Sequence, residues 1–420
     1  MKTLLKSILS TVVLIMLFAS YSTVSGQTGD DSYITISGTV KDAKTNDLVV
    51  FASVSVPGTD IGTVTNSEGE FTMKINKSTN ATVFEISHIS YMNKKVKIEE
   101  ALGKTKTYYL DSHVFQLSEI SIRPEDAKTI VAMALRNIRK NYSESPNMMK
   151  GFYRESIRQR RDYLSISEAI VDIYKAPYTG YQMDQVKVFK GRNGANVKKA
   201  DTLMVQLQGG PNVALLLDIV KNTDLSIALD NLDNYAFEIQ SLTKIDDKMN
   251  YVISFVPDII KPEQPLYIGK LYIQQDNLAI TMAEFSLDIS DQDKAAQYFI
   301  KKKPAGLIFM PTSTKYLVTY KEQKGKYYLN YVRIELKFKC DWKKKWFKNY
   351  YTIISEVAIT DRKEDNIAKF ASQEILRPNV IFSNKMQAFS NANFWEDYNI
   401  IHTEESIQNA IKKFIKNMKE

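Results

Sequence analysis

From Tyr33 to Asp111, apolar and polar residues alternate in short runs. Ile34, Ile36 and Val40 form one set, Ala52, Val54 and Val56 a second, and Phe71, Met73 and Ile75 a third. A period of two places one face of a strand against a core. Pro57-Gly58 and the cluster Asn66-Ser67-Glu68-Gly69 interrupt the runs as turns. Further strand candidates lie at 82–90, 94–98 and 106–110. About seven strands in about 80 residues is the spacing of a small β-sandwich.

The pattern then changes. Pro124 suits a first helical position, and Glu125 and Asp126 suit the positive end of a helix dipole. Ile130, Met133, Ala134 and Ile138 recur at helical spacing, so a helix is expected over 124–141. Beyond it, 148–380 reads mostly as long strands. Candidates are 163–174, then pairs at 237–242 and 251–256, 266–274 and 279–288, 314–321 and 326–339, and a last strand at 350–360. Asp246-Asp247-Lys248, Asp276-Asn277 and Lys324-Gly325 mark the turns. Three successive hairpins predict one large, curved antiparallel sheet. Helices are expected at 211–221, 292–299 and 403–419, the last capped by Thr403. The fold class is therefore mainly β: a sandwich over 33–111, a linker over 112–123, and an α+β domain over 124–420 with long antiparallel strands and a C-terminal helix.

The N-terminal pattern is specific as a set. Ile36-Ser37-Gly38-Thr39-Val40, then Phe51-Ala52-Ser53-Val54, then Gly62 to Phe71 resembles the carboxypeptidase-regulatory-like domain, a family with a prealbumin-like (transthyretin-like) seven-stranded sandwich. Ser90-Tyr91 stands where members of that family often carry Gly-Tyr. The resemblance implies no catalytic residues, since the domain accompanies metallocarboxypeptidases without being one. It also implies a Gram-negative envelope setting, where such domains precede TonB-dependent transporters. The chain as a whole is similar to the uncharacterised envelope proteins named only for this domain, including Phe394-Trp395-Glu396-Asp397-Tyr398 near the end. The helix followed by a curved sheet resembles, in topology alone, the lipoprotein-carrier half-barrel, with helices on the concave side.

Residues 1–26 fit a secretory signal. Lys2 and Lys6 precede a mostly apolar stretch from Ile8 to Ala19, and Val24-Ser25-Gly26 offers small residues for cleavage before Gln27. The stretch is shorter than the roughly 20 residues that span a bilayer. An exported protein of the periplasm or outer membrane is expected. Loss of this segment lowers the net charge from +8 to +6, because it removes two lysines and no acids. That mild excess argues against a nucleic-acid partner.

The candidate chemistry is sparse. One cysteine and three histidines exclude a multi-cysteine metal site and a histidine-rich centre. Cys340 alternates with Phe338 on a strand, which favours packing over nucleophilic work. His88 shares a strand face with Ile86, and packing or a hydrogen bond accounts for it; His113 lies in the linker; His402 precedes the last helix, near Glu404 and Glu405. The acid pairs Asp246-Asp247 and Glu404-Glu405 fit a solvated turn and a helix start. Gly191-x-x-Gly194 and Gly209-Gly210-Pro211 read as loop punctuation. No catalytic residue, metal or cofactor is assigned.

The most unusual stretch is 321–348, with ten basic residues against three acids. Arg333, Glu335, Lys337 and Lys339 share one strand face, and Val332, Ile334, Leu336, Phe338 and Cys340 the other. A solvated face over a core face explains most of it. The tip formed by Trp342, Lys343, Lys344, Lys345, Trp346 and Phe347 has a second reading, as a contact to an anionic membrane surface or an acidic partner. The function expected is a non-enzymatic envelope module that holds an apolar ligand, a lipid or a protein partner. The alternatives are an accessory subunit of a TonB-dependent transporter and a hydrolase with dispersed carboxylates.

Overall fold

The computed structural model describes residues 32–89, 91–112, 126–195, 210–222, 227–259, 266–299, 307–342, 349–389 and 394–417. The expected signal segment, Pro124, and the linker from residue 113 onward lie outside them.

The N-terminal sandwich forms as the alternation predicts. In one sheet β1 (Tyr33–Asp42) lies between β4 (Glu70–Asn76), antiparallel to it, and β7 (Lys106–Leu110), parallel to it. The other sheet runs β3 (Gly62–Val64), β2 (Ser53–Ser55), β5 (Val83–Ser87) and β6 (Lys94–Lys97). Ile36, Val40, Val54, Phe71, Met73, Phe84 and Ile86 fill the space between them. The glycine of the opening strand has a steric cause: a Cβ on Gly38 would lie 2.3 Å from the Tyr108 ring.

The second sheet is larger. Its strands are β8 (Asn147–Gln159), β9 (Asp162–Lys175), β10 (Gln185–Ala195), β11 (Tyr235–Ile245), β12 (Lys248–Pro257), β13 (Tyr267–Gln274), β14 (Ile280–Leu287), β15 (Leu307–Gln323), β16 (Lys326–Trp342), β17 (Asn349–Lys363) and the two-residue β18 (Gln387–Ala388). Their order is β11-β12-β13-β14-β15-β16-β17-β8-β9-β10-β18. Ten strands pair antiparallel, and β18 adds to β10 in parallel. The chain lays down β8 to β10, crosses to the far edge, and meanders back from β11 until β17 closes on β8.

Two expected elements differ. The first helix begins at Ala127, where the Asp126 carboxylate accepts from the Thr129 N–H, and it breaks at Asn137 before a short turn at Ile138–Asn141. Its buried stripe is Ile130, Val131, Ala134 and Leu135, one position off the expected set at Met133. Gly191 and Gly194 lie inside β10 and not in a loop. A Cβ on Gly194 would meet the Phe389 ring at 2.5 Å, so the strand needs the missing side chain to let the C-terminal segment approach.

The large sheet is covered on both faces. The helix Ala127–Arg136, the helix Pro211–Leu216 and the segment around Phe382 cover one face and share its main core with Tyr316, Val318, Val332 and Ile334. The sandwich and the C-terminal segment 394–404 cover the other, where Phe152, Ile170, Tyr331, Trp395 and Ile401 pack with Val64 of the sandwich.

Candidate functional site

The sandwich docks on the large sheet through a few directed contacts. Phe51 stacks on Tyr331 with ring centroids 5.9 Å apart, and the Arg333 guanidinium lies 4.6 Å from the Phe51 centroid. Phe51 holds φ = 60°, a left-handed backbone that is an outlier for a bulky residue. Arg333 is fixed from behind by Glu356 at 3.0 Å, which also accepts from the Tyr331 hydroxyl at 2.8 Å. Arg362 of β17 donates to Asp60 at 3.1 Å.

The segment 394–405 ties the two units together. Asn399 accepts from the Lys74 N–H at 2.7 Å and donates to the Lys74 carbonyl at 3.0 Å, as a further strand would. The Thr63 hydroxyl donates to the Ile400 carbonyl at 3.0 Å. Glu68 accepts from the Glu405 N–H at 3.2 Å, so the sandwich caps the start of the last helix, Glu405–Asn417. On the sheet side, Arg154 donates to the Ile401 carbonyl at 2.9 Å and to Thr403. Glu168 receives Arg154 at 2.8 Å and Arg192 at 2.8 Å, all three buried. The two guanidiniums hold the Glu168 carboxyl below its ordinary range against the opposing effect of burial.

Between these contacts the two units leave a cavity of about 750 Å³. The sandwich lines it with Phe51, His88 and Ile89, and the sheet with Met282, Leu317 and Lys321. Its size falls in the range of about 300–1,000 Å³ typical of small-molecule sites. Ile89 also packs with Val252, Tyr272 and Met282; Ile89 and Met282 of this cluster line the cavity, beside charged sheet residues that include Lys270, Glu284 and Glu335. His88 is held to the Ile89 carbonyl at 2.7 Å, and burial lowers its pKa. Lys321 donates to the Ser55 hydroxyl. Burial pulls its pKa down, while Asp246, Glu85 and Asp60 act in the opposite sense.

Residues 36–122 match the model of the CarboxypepD_reg-like domain. The N-terminal sandwich is a CarboxypepD_reg-like domain. Solved structures similar to the chain include a DUF1329 family protein from Desulfovibrio piger, at 13% identity, covering 58% of this chain and 95% of that one with a TM-score of 0.26. A LolA superfamily protein from Nitrosomonas europaea matches at 13% identity over 58% of this chain and 96% of that one, with a TM-score of 0.21. The Pseudomonas aeruginosa MucA/MucB complex matches at 11% identity over 57% and 99%, with a TM-score of 0.17. These TM-scores all lie below 0.5. No curated protein matches the chain.

The CarboxypepD_reg-like domain changes how several sequence candidates are read. His402 does not turn to Glu404 or Glu405: its Nδ1 lies 2.9 Å from the Thr72 hydroxyl and its Nε2 3.7 Å from Glu70, both on β4 of that domain. Thr403 points its hydroxyl to Arg154 and not to the helix start. His88 lies just past the end of β5 at Ser87 and not within the strand; it is half-buried, with the Ile89 carbonyl as partner. Cys340 is buried beside Phe309 and Phe338, and burial pushes its thiol up to about 11. The face with Arg333 is not wholly solvated, because the docked domain covers its Arg333 end while Lys337 stays exposed. The tip candidates Lys343, Lys344, Lys345, Trp346 and Phe347 lie outside the described residues, and Trp342 ends β16 opposite Leu307. On the helix-covered side Tyr142 packs ring against ring with Tyr178, Tyr320 and Tyr327. The described cavity lies on the opposite face. Sequence reasoning missed Lys321 as a cavity residue and the Arg154–Glu168–Arg192 group. The signal for the latter was an Arg and a Glu placed within otherwise apolar stretches of β8 and β9.

Proposed function

We propose that the protein is a non-enzymatic binding module of the cell envelope, and that the cavity between the CarboxypepD_reg-like domain and the large sheet holds an apolar or amphiphilic ligand. The cavity of about 750 Å³ carries this reading. The secretory pattern of residues 1–26 supports export. Two of the three acids lining the cavity are engaged in structural pairs, Glu284 accepting from the Tyr272 hydroxyl at 2.8 Å and Glu335 pairing with Lys337 at 2.9 Å, while the third, Asp246, lies in the turn between β11 and β12. Such pairing favours a binding role over a dispersed-carboxylate hydrolase.

The test is native mass spectrometry of the mature protein purified from envelopes, with uptake of a neutral apolar fluorophore as a second measurement. A bound mass of lipid size, or saturable uptake that Met282→Trp blocks by filling the floor, is the expected result. A folded protein with neither bound mass nor saturable uptake overturns the reading.

A further inference from the structure

We infer that Lys321 anchors an anionic head group, so that the cavity takes a single-chain amphiphile whose carboxylate or phosphate end meets Lys321 while its chain lies along Ile89, Met282 and Leu317. This deepens the binding reading above and rests on it.

The cations on this face of the sheet are not alike. Arg333 has Glu356 at 3.0 Å, Lys337 has Glu335 at 2.9 Å, Arg362 has Asp60 at 3.1 Å, and Lys248 has Glu322. Among the described residues Lys321 has a neutral partner instead, the Ser55 hydroxyl of the sandwich. It is half-buried at the wall of a cavity that also exposes Ile89, Met282 and Leu317, and burial lowers its pKa. A cation stripped of water without a counter-charge is costly, and an anion placed beside it relieves that cost. Asp246, Glu85 and Asp60 oppose the effect of burial on Lys321 from a distance, and among the described residues none of them forms an ion pair with it.

An extended peptide fits less well. The cavity floor is the face of β13, β14, β15 and β16, and each of these strands has a hydrogen-bonded neighbour on both sides. The same holds for β2 and β5 in its roof, so no free strand edge is offered for backbone pairing. Recognition here falls to side chains, with Lys321 for the charge and Ile89, Met282 and Leu317 for the chain, among lining acids such as Glu284 and Glu335 that already have partners.

The test uses the mature full-length protein and a fluorescent fatty acid below its micelle concentration, displaced in turn by palmitate, hexadecyl phosphate, hexadecanol and inorganic phosphate. Palmitate and hexadecyl phosphate are expected to compete about tenfold or more better than hexadecanol, and inorganic phosphate not at all. Lys321→Met should erase that preference by weakening both anions about tenfold while hexadecanol changes less than about twofold. Lys321→Arg should keep the preference, and Lys337→Met, an exposed control, should leave it untouched. If hexadecanol competes as well as palmitate and Lys321→Met changes nothing, the anchor is wrong and the binding module stands. Displacement by inorganic phosphate alone, or by acidic peptides and not by palmitate, overturns the amphiphile. If neither the fatty acid nor a neutral apolar fluorophore binds the folded protein, the binding reading itself falls. The head-group series on the unaltered protein decides the matter even where Lys321→Met fails to fold.

Discussion

The two faces of the large sheet bury charge in different ways. On the helix-covered face Lys175 is wholly enclosed, 2.6 Å from Asp184 and 2.8 Å from Asp218, with the Tyr178 ring 5.0 Å away. The Tyr320 hydroxyl donates to Asp218 at 2.7 Å, and tyrosine rings occupy the surrounding space. On the sandwich-covered face the Arg154–Glu168–Arg192 group is just as buried, yet a cavity opens a few strands away. The same strand serves both: Tyr316, Val318 and Tyr320 of β15 enter the main core, while Leu317, Thr319 and Lys321 face the cavity. Helices and loops of one domain can interdigitate side by side with a sheet. A preformed sandwich set against a broad sheet meets it at points, here Phe51, Ile89 and the segment 394–405, and leaves space between them.

The strongest way to break this comparison is to remove the centre of the sandwich-side group. Glu168→Ala leaves Arg154 and Arg192 buried without their shared counter-charge. Such a loss destabilises by about 3–5 kcal/mol. Denaturant unfolding of the full chain checks it, and a loss below about 1 kcal/mol would mean that the group does not hold the face together.

The two faces should also answer pH in opposite directions. Glu155 is buried beside Tyr153 on the helix-covered face; it accepts from the Tyr153 hydroxyl at 2.8 Å, and burial raises its pKa from 4.5 to about 7. The folded chain therefore keeps a proton that the unfolded chain has released between pH 4.5 and 7. Its contribution is complete below about pH 4.5 and is lost as pH rises through 7. Comparing unfolding free energies at pH 4.5 and 8, Glu155→Gln should remove a loss on the order of 3 kcal/mol. His402, in the clamp, behaves the other way. Burial holds its pKa below the ordinary value, against the pull of Glu70 and Glu68, so the unfolded chain binds the proton first. Its contribution is present above the ordinary histidine value of about 6.5 and declines as pH falls below it. His402→Gln should flatten that acid limb and leave the limb due to Glu155 unchanged; parallel profiles in the two variants would dissolve the distinction between the faces.

Much of the architecture was legible from residue order alone. In the sandwich, β1 and β4 follow from period-two alternation, while the three-residue β3 is buried throughout and carries none. Positive φ at Asp246, Asp247, Lys324 and Gly325 supports two of the three expected hairpin turns. Strands β8 and β10 were not legible. β8 is buried on both sides from Gly151 to Ile157 and carries Arg154 and Glu155 inward, which destroys alternation. β10 keeps glycines where Phe389 and Met386 press on its backbone. The cavity was illegible for a different reason. Alternation along β15 and β16 marks a polar face, but it does not tell whether water or another domain covers that face. The clamp is equally non-local, since Lys74 and Asn399 meet across 325 residues.

A smaller effect is expected at the point of docking itself. Phe51→Ala removes the stack on Tyr331 and the ring beneath Arg333, for a loss of about 2 kcal/mol. Phe51→Gly removes the same ring but suits the left-handed backbone. If the ring dominates, both variants lose stability alike; a glycine variant more stable than the alanine one assigns the difference to backbone strain.

The smallest effect belongs to Cys340, on the core-facing side of β16 and away from the cavity. With its thiol pushed up to about 11, only about one molecule in ten thousand is a thiolate at pH 7. A disulfide reagent should therefore label the native chain far more slowly than the denatured one, and Cys340→Ala should cost about 1 kcal/mol. Ligand binding should be unchanged in that variant, because the strand ends in a closed apolar cluster with Phe309, Phe338 and Tyr351. Labelling of the native chain as fast as that of the unfolded one would show that this end of the helix-covered face opens locally, and the contrast between a filled face and a hollow one would then hold only toward the middle of the sheet.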